Sequence, residues 1–131
     1  MAISDLRRLL AGMAPVLYPG PYGFACLDGA RVCPAGVVSF ATVAEDEGLT
    51  VVAPEVELVA AGLAFQGGWA RISLTVQSDL AAVGLTAAIA GALSDVGISA
   101  NVIAGFHHDH FLVQADRAAD AMTVLRDLSG R

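Results

Sequence analysis

The residues with the widest chemical reach are the run His107-His108-Asp109-His110. On an extended strand His108 and His110 fall on one face, because side chains alternate. Such a pair offers a metal two nitrogens, whereas a zinc centre needs at least three protein ligands. The chain has 3 histidines in all, so this turn holds every one of them. Cys26 and Cys33 are the only cysteines and lack the C-x-x-C spacing. They read as small buried hydrophobes. No metal is expected, and the histidines read as a polar hairpin tip.

Nucleophilic catalysis needs Ser or Cys beside a histidine base and an orienting acid. Val38-Ser39-Phe40 lacks the glycines of a nucleophile elbow, and no glycine-rich phosphate loop is present. All 7 cations are arginine, so no lysine can form a Schiff base or clamp a phosphate. Glu45-Asp46-Glu47 is an acidic run, but adjacent side chains splay apart, so it reads as a solvated tip. No catalytic residue and no cofactor are expected.

What remains is the turn Gln77-Ser78-Asp79-Leu80, which sits where a strand gives way to a helix. A helix start presents unpaired N–H groups and the positive end of the dipole, which suits a carboxylate. Asp79 could meet an ammonium group. Gly84, early in the helix, and Gly105, in the next strand, permit close approach. Asn101 in that strand can read a polar group. Capping and tight packing explain the same residues equally well.

The elements that must position this turn follow from periodicity. Trp69 to Val76 alternates, with Ile72, Leu74 and Val76 inward and Arg71, Ser73 and Thr75 outward. The spacing predicts a helix from Leu80 to about Val96, capped by Ser78 or Asp79, with Leu85, Ile89, Leu93 and Val96 buried. Ile98 to Phe106 and His110 to Gln114 read as a strand pair. Asp116 starts a last helix facing inward through Ala118, Met122, Leu125 and Leu128.

In the first half Ser4 caps a helix from Asp5 to about Met13, with Leu6, Leu9, Leu10 and Met13 on one stripe. Tyr18 to Tyr22 reads as a turn. Tyr22 to Leu27, Val37 to Val43 and Leu49 to Val52 read as strands, and Pro54 to about Gly62 as a helix. Phe65 to Gly68 reads as a flexible join. Together these elements predict an α+β sandwich: an antiparallel-rich sheet with helices on one face.

The 131 residues are 56% hydrophobic and 15% charged, enough to build a core. The net charge of -6 and the scattered arginines argue against nucleic acid and anionic membranes. Mean hydropathy is +0.65, yet the longest apolar run, Leu80 to Leu93, is shorter than the roughly twenty residues of a spanning helix. Arg7-Arg8 precedes an apolar run that Pro15 cuts short, a poor signal peptide, so a cytoplasmic protein is expected.

The stretch Ala70 to Leu128, with "VGLTAAIAGAL", "DVGISANVIAGF" and "DHFLV", resembles an ACT domain. It is similar to small bacterial ACT-domain proteins and, more distantly in pattern, to the ACT regions of aspartate kinases and arginine sensors. The first-half segment "EDEGLTVV" matches the same small family. The resemblance implies a ferredoxin-like βαββαβ fold in two ACT-like units, a degenerate one over 1–66 and an ACT domain over 67–131. It implies a non-catalytic regulatory or sensor module that binds an amino acid or similar small carboxylate and forms a homo-oligomer. The implied site is Gln77, Ser78, Asp79, Leu80, Val83 and Gly84 facing Asn101, Val102, Ile103, Ala104 and Gly105. Aspartate-kinase ACT regions commonly carry Asp-Gly at this turn, where this chain has Ser78-Asp79-Leu80. Two other readings compete: a structural or oligomerisation module without ligand, and a metal-binding protein using His108 and His110.

Overall fold

The computed structural model describes residues 5–76 and 79–130. The elements are α1 (Leu6–Ala11), β1 (Pro15–Leu17), β2 (Tyr22–Asp28), β3 (Ala41–Ala44), β4 (Gly48–Pro54), α2 (Glu55–Ala60), β5 (Gln66–Leu74), α3 (Leu85–Asp95), β6 (Ala100–Ala104), β7 (Asp109–Gln114) and α4 (Ala118–Ser129). They gather into two compact units. One joins the chain up to Pro19 with the chain from Ala70 onward, and the other is Gly20–Trp69. No helix among the described residues is long and apolar enough to cross a membrane.

The unit Gly20–Trp69 has strand order β3-β4-β2-β5, with β5 entering through Gln66 and Trp69. The register of β2 on β4 pairs Ala25 with Val51 and Leu27 with Leu49. Ala25, Leu49, Val51 and Ala53 therefore share one face and pack on Leu58 of α2. The order of elements is β-loop-β-β-α-β, a ferredoxin-like unit whose first helix is replaced by the loop 29–40. Pro34 and two glycines in that loop oppose helix, and Val37 closes a turn on the Pro34 carbonyl. The strand expected over Val37 to Val43 thus shrinks to Ala41–Ala44, because Val38 N–H donates to the Glu57 carboxylate and not to a neighbouring strand. The expected join at Phe65 to Gly68 is instead the start of β5, held where Gly68 N–H donates to Glu55 Oε2 at 2.6 Å.

The other unit has strand order β1-β5-β7-β6. Its fourth strand, β1, comes from the N-terminal segment and pairs Pro15, Val16 and Leu17 with Leu74, Ser73 and Ile72. Alternation sends Ala70, Ile72 and Leu74 of β5 and Phe111 and Val113 of β7 to the helix face. They meet Leu9 and Met13 of the α1 segment, Leu85, Ile89 and Leu93 of α3, and Met122, Leu125 and Leu128 of α4. Asp5 caps α1 by accepting from Arg8 N–H; the cap expected at Ser4 lies outside the described residues.

Several boundaries move. The helix expected from Leu80 starts at Leu85, because Gly84 adopts a φ of 99°, a left-handed conformation that cannot continue an α-helix. Val96 is 46% exposed and Ile98 closes the core in its place, 3% exposed, because the chain turns out of helix at Asp95. The strand expected from Ile98 to Phe106 is Ala100–Ala104. Asp116 lies in a 3-10 turn, so α4 begins with Arg117 as its cap. Cys26 is exposed, since it faces away from α2 on β2.

Candidate functional site

The strand–helix turn is built by Asp79. Its Oδ1 accepts from Ala81 N–H at 2.9 Å, and its carbonyl accepts from Ala82 N–H at 2.9 Å. The turn closed, Gly84 resets the backbone and α3 departs, with Ala88 N–H on the Gly84 carbonyl as its first-turn bond. The N–H groups of the first helical residues, Leu85 and Thr86 among them, have no partner within the helix. The expected caps are therefore corrected: Gly84 is the cap of α3, and Asp79 caps the turn ahead of it.

A cavity of about 100 Å³ lies at this point, lined by Asp79, Leu80, Ala82, Leu85 and Thr86 from the turn and helix, and by Ala104 and Asp109 from the β6–β7 hairpin. Ala104 and Asp109 are direct partners in the hairpin register, which brings both to its rim. The cavity thus has the positive end of α3 on one side and two carboxylates, Asp79 and Asp109, on others. That arrangement is complementary to a group carrying both charges, with a carboxylate toward the helix end and an ammonium toward the aspartates.

Of the residues expected at the site, Asp79, Leu80 and Ala104 come together here. Val83 is 84% exposed and points to solvent. Gly84 is explained by its φ and by Leu6, whose methyl would lie 3.3 Å from an added Cβ. Asn101 is exposed and pairs with Leu112, Val102 with Phe111 and Ile103 with His110; none of the three lines the cavity. Gly105 serves the hairpin: its N–H donates to the His108 carbonyl at 2.9 Å, and a Cβ there would crowd that same oxygen. Gln77 and Ser78 lie outside the described residues. Thr86 and Asp109 were missed from the sequence. The signal for Asp109 was the hairpin register, which sets it opposite Ala104.

The histidines are engaged by the protein. His110 Nδ1 lies 2.6 Å from Ser73 Oγ, and His108 Nδ1 lies 3.4 Å from the Val76 carbonyl. Burial, followed by the charges of Arg71 and His108, lowers the His110 pKa, with Asp109 opposing. Among the described residues no three metal-ligating side chains gather.

Two family models of the ACT domain match the chain, one over residues 1–69 and the other over 64–127. A solved protein of unknown function from Vibrio cholerae, described as a possible transport protein, is 42% identical over 95% of both chains, with a TM-score of 0.83. A protein from Agrobacterium tumefaciens is 20% identical over 88% of both, with a TM-score of 0.75. The ligand-free regulatory subunit of aspartate kinase from Thermus thermophilus shares the fold at 11% identity, covering 90% of this chain and 97% of its own, with a TM-score of 0.64. Comparison with curated proteins found no match.

Proposed function

Because the chain belongs to the ACT domain family, whose members are typically small-molecule regulatory modules, we propose that it is a non-catalytic sensor that binds an amino acid at the turn before α3. The observation that carries this reading is the cavity set between the N-terminus of α3 and the carboxylates of Asp79 and Asp109. The ligand carboxylate takes the N–H groups at Leu85 and Thr86, where the helix dipole favours an anion. Its ammonium takes Asp79 and Asp109 in charge-assisted hydrogen bonds. The cavity's volume of about 100 Å³ accommodates this charged head, and the ligand's side chain passes outward over Leu80. Gly84 sets the bend between the turn and α3. Asn101, Val102 and Ile103 belong to the strand that a second copy brings to the ligand, with Gly105 just beyond its end.

The open edge of β6 supports such pairing. Among the described strands it bonds only to β7, and Val102 and Phe106 beside it are 37% and 78% exposed. The two ACT matches, over residues 1–69 and 64–127, support a sequence-level division near residue 66. The same open edge favours a second reading, an assembly module that binds no ligand.

Thermal denaturation of the full chain with each of the twenty amino acids at millimolar concentration tests the sensor. A ligand at 100 times its Kd adds about 2.7 kcal/mol. Stabilisation lost in Asp79→Asn, with the oligomer mass unchanged by light scattering, is the expected result. Failure of all twenty to stabilise the native protein leaves only the assembly module.

A further inference from the structure

The unit Gly20–Trp69 carries a groove of its own. It measures about 590 Å³ and is lined by Phe24, Cys26, Glu45, Thr50, Phe65 and Gln66, together with Ala25 and Ala64. The groove is shallow and open to solvent along its length. Its origin is a mismatch of strand lengths. β2 runs on to Asp28, but β5 begins at Gln66, opposite Phe24. Past Phe24, β2 has β4 on one side and the groove on the other.

The groove has an aromatic part and an acidic part. Phe24 is set edge-on against Trp69, with ring centroids 5.8 Å apart. Phe65 is seated over Gly23, where an added Cβ would come within 2.6 Å of its ring. At the other end the Thr50 hydroxyl donates to the Glu45 carboxylate. That bond uses one of about four acceptor positions on a carboxylate. Desolvation first, and then the charges of Asp28, Glu45 and Glu47, raise the pKa of the Cys26 thiol, so these carboxylates make the field there negative. None of the lining residues is cationic.

We infer that this groove binds a small organic cation, an amine whose ammonium meets Glu45 while its apolar body lies between Phe24 and Phe65. The carboxylate supplies a charge-assisted hydrogen bond, and the rings supply apolar contact for the body. The same field rejects anions and disfavours a free amino acid, whose carboxylate would sit among acids. The inference is independent of the amino-acid cavity beside Asp79.

The test is a titration of the full, nitrogen-15-labelled chain with phenethylamine, read residue by residue in amide spectra. Phenethyl alcohol and phenylacetate serve as its neutral and anionic counterparts. The amine is expected to shift the amides of Cys26, Thr50 and Gln66 saturably, and phenylacetate to shift none of them. The alcohol is expected to bind about tenfold more weakly, the loss of one charged hydrogen bond. Glu45→Gln is expected to weaken the amine by a similar factor and to leave the alcohol unchanged. Equal binding of amine and alcohol to the native chain, shifts confined to Thr86 and Asp109, or no shifts at all overturns the inference. The comparison on the native chain decides it even where Glu45→Gln misfolds.

Discussion

Ser73 Oγ lies 2.6 Å from His110 Nδ1, joining two strands of one sheet across the face turned away from the helices. Ser73 is 5% exposed, so its hydroxyl must find partners within the protein. Arg71 Nε donates to it at 3.3 Å, and the Arg71 guanidinium rests 3.8 Å from the Tyr18 ring centroid. The Ser73 hydroxyl, accepting from Arg71, thus shares a hydrogen bond with His110 Nδ1 and ties β5 to β7.

A pH dependence follows. In the fold the His110 pKa is below its ordinary 6.5, through burial and then through Arg71 and His108, with Asp109 partly compensating. The unfolded chain therefore takes up this proton first as pH falls. The stabilisation is complete above the unfolded pKa and is lost as pH drops through it toward the folded value. Urea midpoints from about pH 8 to about pH 5 are expected to fall for the native chain and to fall less for His110→Gln. Parallel profiles would remove His110 from the account.

Gly84→Ala is expected to destabilise the chain. A φ of 99° costs a side-chain-bearing residue about 1–2 kcal/mol, and the new methyl also meets Leu6 at 3.3 Å. Chemical denaturation reads this directly. A neutral result would mean that the turn readjusts without cost.

Phe111 is fully buried where β7 meets the helix face. Phe111→Ala is expected to cost roughly 3–5 kcal/mol, the transfer energy plus the cavity left behind. The measurement is the shift in denaturation midpoint at unchanged slope.

A fragment beginning at Gly67 is expected not to fold alone. It lacks Leu9 and Met13, both fully buried in the core of its unit, and it lacks β1. Joining the first nineteen residues to that fragment through a flexible linker is expected to restore a dispersed amide spectrum. A folded fragment without them would show that the N-terminal segment is an accessory.

The sequence carried clear signals for elements whose partners lie close along the chain. Alternation in Arg71 to Leu74 and the stripe of Met122, Leu125 and Leu128 each describe one buried face, and both faces are buried as expected. The α+β class followed from those faces, and its ferredoxin-like form from the family resemblance. β1 was not legible. Its three residues carry no period, and Tyr18 N–H finds its partner in the Arg71 carbonyl, far along the chain. Valines 37 and 38 suggested a strand, but a turn and a side-chain contact to Glu57 claim their backbone. At the candidate cavity Asp79 and Leu80 were legible from helix-end chemistry. Thr86 was hidden by the expected helix start at Leu80, which set it mid-helix, whereas α3 begins at Leu85 and puts it in the first turn.

The origin of β1 sets an order on synthesis. The ribosome releases the α1–β1 segment first, yet its strand partner, Ile72 to Leu74, emerges only after the whole Gly20–Trp69 unit. That middle unit can close while the chain is still growing, since domains form as their residues appear. The leading segment must wait with Leu9 and Met13 uncovered, and it settles only when α3, β7 and α4 arrive. The later-made α4 thus shelters the earlier-made α1, and Ser129 marks the closure by donating to the Ala11 carbonyl at 3.1 Å.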